Sequence, residues 1–168
     1  MRMLVLTLAA VCVATAAGGQ TSAQAPTGNE ANGAAIVAGK GKCQTCHRIG
    51  TAGSRLGPDL TDISATRTVE QLQYSLLDPN AEILPENRSY GIVAQDGTAI
   101  TGRLLNHDTF QVLLRDQKDR LRSFNKSELR EHGFVAASAM PSYRSTLSAE
   151  ELNDVVAYLM TMKGVVAR

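Results

Sequence analysis

The five residues Cys43-Gln44-Thr45-Cys46-His47 constrain this chain more than any other feature. Two cysteines three apart, followed at once by histidine, form C-x-x-C-H, the spacing of a covalent haem attachment site. The geometry explains the spacing. On a helical turn, residues i and i+3 lie on one side, so both thiols can reach the two vinyl groups along one edge of a macrocycle. His47 follows at i+4 and can turn its imidazole toward the iron. Three other readings use the same residues. A zinc site would need about four ligands, drawn from Cys43, Cys46, His47 and one of His107 or His132. A thioredoxin-like redox pair would want a βαβ context, which this stretch lacks. A structural disulfide would leave His47 incidental. The cysteine pair with its adjoining histidine favours a haem over all three.

A haem held by one histidine either takes a second axial ligand or keeps that position open for chemistry. The candidates downstream are His107, His132, Met140, Met160 and Met162. Met160 and Met162 fall at the end of a strongly helical pattern. There Ser148-Ala149-Glu150-Glu151 is a capping box, Leu147 and Leu152 form its hydrophobic staple, and Leu152, Val155, Val156 and Leu159 make one apolar stripe. Both methionines are expected to pack or to face solvent. Met140 differs, because Ala137-Ser138-Ala139-Met140-Pro141-Ser142-Tyr143 reads as a loop and Pro141 biases Met140 away from helical geometry. A loop methionine stiffened in this way can lean across to the far face of the iron. His107 falls in a hairpin turn and His132 at the end of a short helix, both positions typical of solvated surface. The metal ligands are therefore expected to be His47 and Met140.

The first residues have the order of a secretory signal: Met1-Arg2-Met3, a mostly apolar run from Leu4 to Ala17, then small and polar residues to Ala25. The run is too short to anchor in a bilayer. Residues 1–25 are accordingly expected to be a signal peptide and 26–168 the mature chain, with no stable membrane span. Arg2 is the only charged residue of the leader. Of 17 basic residues in the whole sequence, 16 remain against 16 acidic ones, so the mature chain carries no net formal charge. Nothing in that balance points to nucleic acid. Cys12 lies within the leader, which leaves Cys43 and Cys46 as the mature cysteines.

With these motifs in place the chain resembles the class I cytochrome c family, in its mono-haem form with a distal methionine. Asn32-Gly33-Ala34-Ala35-Ile36-Val37 looks like that family's first helix, and Asp154-Val155-Val156-Ala157-Tyr158-Leu159 like its last. The resemblance implies that these helices cross near a small residue, which would be Gly33. Gly57-Pro58-Asp59-Leu60 is similar to the family's Gly-Pro-x-Leu segment, and Met140-Pro141 to its distal loop. By resemblance, the Pro58 carbonyl accepts the Nδ1 proton of His47, which fixes the ring and its basicity. The resemblance also implies one covalent haem c bound through Cys43, Cys46, His47, Met140 and Pro58, and maturation outside the cytoplasm.

The departure from a minimal family member is a span of 92 residues between His47 and Met140. Thr68-Val69-Glu70-Gln71 opens a helix with a second capping box, and Val69, Leu72 and Leu76 form its buried face. Beyond Asp78-Pro79 the period changes to two. Ser89 to Gln95 and Thr98 to Leu105 flank Asp96-Gly97, a hairpin signal, and Phe110 to Arg115 and Arg120 to Phe124 read as two further strands. Lys126 to Glu131 reads as one helical turn. Together with Leu77-Asp-Pro-Asn-Ala-Glu-Ile83, this β-rich insert, at about 88–125, resembles a group of bacterial haem-binding cytochromes. The expected fold is mainly α, a cytochrome c-like helical haem domain with a small inserted antiparallel β-sheet. The expected function is a periplasmic electron carrier, or the haem subunit of an exported dehydrogenase, rather than an enzyme in itself. Its partners would be redox proteins such as a dehydrogenase or a terminal oxidase. The alternative is a haem enzyme or sensor with a labile sixth ligand.

Overall fold

The fold is taken from a computed structural model that describes residues 27–164. The expected leader over 1–25 lies outside the described residues. The helices form where the caps direct. Helix α1 (Glu30–Ala38) starts at Asn29, whose side chain accepts from the Asn32 amide at 3.1 Å. Thr68 with Gln71 caps α2 (Val69–Leu77), and Ser148 with Glu151 caps α3 (Ala149–Met160), both as reciprocal capping boxes.

Helices α1 and α3 are the main packed pair, and their closeness depends on glycine. A Cβ on Gly33 would collide with the Asp154 backbone and lie 2.8 Å from Cβ of Tyr158. Asp154 then ties the start of α1 down, accepting from the Asn29 amide at 2.6 Å and the Asn32 side chain at 2.7 Å. At the other end Lys40 bonds Glu151 at 2.7 Å. Between these helices and α2 lies one core of Ile36, Val37, Leu60, Leu72, Leu76, Tyr143, Leu147, Val155, Val156 and Leu159.

The expectation of a mainly α fold is corrected. Among the described residues, three α-helices stand beside seven strands, and strand accounts for 26% against 30% helix. Two strands, β1 (Arg48–Ile49) and β2 (Ala52–Gly53), make a small hairpin just after the cysteine motif. The other five are β3 (Ser89–Ala94), β4 (Ala99–His107), β5 (Gln111–Asp116), β6 (Leu121–Asn125) and β7 (Leu129–Phe134). They form one antiparallel sheet in the order β6-β5-β4-β3-β7. Lys126–Glu128 is a single 3₁₀ turn, after which the chain extends again instead of continuing as helix. Of the stretch read as one helical turn, Lys126–Glu128 is such a turn and the rest opens β7.

That order forces the sheet to curl. Strands β6 and β7 lie at opposite edges, which a flat sheet would hold about 19 Å apart at roughly 4.8 Å per strand. Only the 3₁₀ turn joins Asn125 to Leu129, and four Cα steps reach at most about 14 Å. The sheet consequently wraps into a half-closed barrel around its own core of Tyr90, Ile92, Val112, Leu114 and Leu129, with Ile100, Leu104 and Phe124 at its margin. Val112 and Leu114 are both 0% exposed, although no helix belongs to this core. The molecule therefore has two hydrophobic centres, one helical and one inside the barrel.

Candidate haem-attachment site

The cysteine motif folds as a 3₁₀ turn over Cys43–Thr45, entered through Lys42 in the left-handed region at φ 51°. In a 3₁₀ turn residues i and i+3 eclipse one another, which stacks Cys43 and Cys46 along one edge. The Cys46 and His47 amides both bond back to the Cys43 carbonyl, at 3.1 and 2.8 Å. Both cysteines are free thiols and both are half-buried. Burial pushes the Cys43 thiol above its ordinary value, against a smaller lowering by the Tyr143 hydroxyl 4.0 Å away.

His47 follows directly, and its Nδ1 lies 2.8 Å from the Pro58 carbonyl oxygen. A carbonyl can only accept, so Nδ1 carries the proton and Nε2 keeps its lone pair. That is the tautomer a metal ligand requires. Burial holds the imidazole below its ordinary value, against an opposing pull from the Pro58 bond, and the positive charge of Arg103 adds a smaller lowering. The ring is therefore neutral at physiological pH. Gly57 makes the contact possible, since a Cβ there would stand 2.8 Å from Cε1 and 2.9 Å from Nδ1 of His47. The Gly57 amide donates to the Cys46 carbonyl at 2.7 Å, so the loop and the thiol turn are stitched together directly.

Met140 is half-buried in the loop before α3 and packs against the helical core, as Cys43 does. Its loop is fastened to the end of α2. The Tyr143 amide takes the Leu76 carbonyl at 2.8 Å and the Ser142 hydroxyl takes the Leu77 carbonyl at 2.6 Å, which satisfies two of the acceptors a helix end leaves free. Asn80, in the segment after α2, accepts the Ser138 amide at 2.9 Å, and Ser138 in turn accepts the Met140 amide at 3.2 Å. Tyr143 joins this loop to the thiol turn, its buried hydroxyl donating to the Gly41 carbonyl at 2.5 Å. The residues around Met140 and the residues around Cys43 thus share one rigid support. Sequence reasoning assigned Tyr143 no role, although its spacing of three from Met140 was visible.

The remaining candidates are placed elsewhere. Met160 packs against the helical core, and the Met162 carbonyl accepts from Ser64 at 3.1 and 2.9 Å. His107 ends β4 rather than lying in a turn, and His132 lies in β7 rather than in a helix. Both surround the Tyr90 ring on the barrel, and Nδ1 of His132 is 2.9 Å from the Tyr90 hydroxyl. Among the described residues no three His, Cys, Asp or Glu side chains cluster as a metal site would need, which weighs against the zinc reading. No described helix is long and apolar enough to cross a membrane.

The residues present fit a haem. Two half-buried thiols share one edge, with only long contacts to Gly41, Tyr143 and Thr45, and a neutral imidazole keeps Nε2. In comparisons with known proteins, the sequence model of the family described as Cytochrome c matches residues 30–117. No curated protein matches this chain.

Proposed function

Because the chain belongs to the cytochrome c family, with haem c as its covalent cofactor and haem-based electron transfer as its function, we propose that it is a class I, mono-haem carrier of the periplasm. Cys43 and Cys46 would hold the single haem covalently, and His47 and Met140 would supply its nitrogen and thioether ligands. The observation that carries this reading is the bond from His47 Nδ1 to the Pro58 carbonyl, which leaves Nε2 free beside the two thiols.

The bound group supplies a one-electron couple, and the chain's own residues set the conditions for it. Cys43 and Cys46 fix its edge to the 3₁₀ turn. His47, oriented by Pro58 and kept neutral by burial, offers Nε2 to one face. Met140, on a loop pinned by Asn80, Leu76 and Leu77, offers a thioether to the other. One nitrogen and one soft sulfur ligand favour the reduced state over a bis-histidine pair and raise the potential. With both faces covered, a substrate could coordinate only by displacing Met140. The partners are redox proteins, and a mature chain without net charge is suited to brief docking at local patches rather than to long-range steering. Export through the leader at 1–25 places it where a dehydrogenase or a terminal oxidase could exchange electrons with it, as a carrier or as a haem subunit.

Optical spectra of the exported, matured protein in both oxidation states test the proposal. Haem staining is expected to survive denaturing electrophoresis, and the oxidised protein to show a far-red band from sulfur ligation. Met140→Ala should abolish that band while leaving the haem covalently attached. A wild type that lacks the band and readily binds carbon monoxide would overturn the assignment in favour of a labile sixth position and small-molecule chemistry.

A further inference from the structure

The barrel reaches into the site through one side chain. Arg103 lies on β4, paired with Ser89 of β3 on one side and Arg115 of β5 on the other. Its Nη1 donates to the Gly57 carbonyl at 3.1 Å and to the Arg55 carbonyl at 3.3 Å. These residues run directly into Pro58, the acceptor for His47. The guanidinium is thus held by two backbone oxygens at the back of the loop that orients the imidazole.

Its charge is not cancelled there. The neighbouring Arg115 has a carboxylate, Asp119 at 3.0 Å, and Arg120 and Arg122 share Asp116 at 2.8 and 3.5 Å. Among the described residues no carboxylate forms an ion pair with Arg103. Neutral carbonyls hold the guanidinium in place without neutralising it. The half-buried setting limits screening by water, and the guanidinium sits directly behind the Gly57–Pro58 segment whose carbonyl meets His47 Nδ1.

We propose that Arg103 is a positioning residue that clamps the Gly57–Pro58 segment behind His47 and, by its unpaired charge, raises the reduction potential of the haem this histidine holds. The inference rests on the reading of His47 as an axial ligand. Oxidation adds one positive charge at the iron, and a fixed cation nearby opposes that step. The same cation draws electron density from the imidazole, which makes it a weaker donor to the oxidised metal, so both effects have one sign. Only an electron is exchanged with the mediator or partner, and no bond is made or broken. The barrel thereby acts on electron transfer through one contact, without touching either thiol.

The test is a mediator-poised redox titration of the exported, haem-bearing protein carrying R103K, R103Q or R103E. At a fixed poise near the midpoint, R103Q should shift the oxidised-to-reduced ratio about tenfold toward oxidised, which is 59 mV for one electron. R103E should shift it further, while R103K should stay within about threefold of wild type because it keeps the charge. Raising the ionic strength should narrow the gap between wild type and R103Q. Amide exchange at residues 55–60 should quicken in R103Q, reporting loss of the clamp. A haem-bearing R103Q with the wild-type potential overturns the proposal, and so does an R103K that falls as far as R103Q. If the neutral and acidic variants do not fold, R103K and the salt response decide: a wild-type potential that does not fall as salt rises overturns it. Failure of the His47 reading would look different, as a wild-type spectrum without histidine ligation whatever residue stands at 103.

Discussion

Gly57 and His47 share a space that leaves no room for a methyl group. A side chain at 57 would press on the imidazole at 2.8–2.9 Å and lengthen its bond to Pro58. Gly57→Ala is expected to destabilise the haem-bearing protein by about 1–3 kcal/mol through overpacking. The same variant should weaken histidine ligation, read as a larger high-spin fraction in the optical spectrum. Unchanged unfolding curves and an unchanged spectrum would refute the close contact. At this scale the sequence was most legible where chemistry needs neighbours in the chain, as in Cys43, Cys46 and His47. It was least legible where partners meet only through folding. Tyr143 finds the Gly41 carbonyl across 102 positions and Arg103 finds Gly57 across 46, and neither separation has a periodic signature.

The capped helices α2 and α3 were readable because a capping box is local, with both of its hydrogen bonds lying within four residues. Strand β7 was not. Of Leu129-Arg130-Glu131-His132-Gly133-Phe134 only Leu129 is buried, so the stretch has no clean alternation, and it becomes a strand because β3 offers it a free edge. The β5–β6 turn has a different anchor. Buried Asp116 accepts from the Lys118 and Arg120 amides and from the Arg120 guanidinium at 2.8–3.0 Å. Chiefly through Arg120, its carboxyl is lowered from 3.8 to about 2. A folded value below the unfolded one stabilises fully above 3.8, and that contribution fades as pH falls toward 2. Asp116→Asn is therefore expected to lower stability at neutral pH and to flatten its own share of the acid loss in this window. Thermal melts of both proteins from pH 6 to pH 2 check this, and parallel curves would refute it.

Two separate cores imply two units of stability. Leu114 is wholly enclosed by the barrel and belongs to no contact network of the helices. Leu114→Ala should cost about 2–5 kcal/mol and unfold the barrel first. Far-ultraviolet circular dichroism should then show an early transition that haem absorbance does not follow. Coincident transitions would mean that the two parts melt as one. The chain leaves the helical part at Ser89 and returns at Val135, and the Val135 amide bonds the Ser89 carbonyl at 2.9 Å. Departure and return thus meet at a single point, and with Arg103 on the Arg55 and Gly57 carbonyls the barrel is held to the helical body at two places. The loop carrying Met140 begins just beyond the first of these places and has its own fastening to the segment after α2, at Asn80. A unit inserted in this way can change length or surface while the Met140 loop keeps its separate fastening.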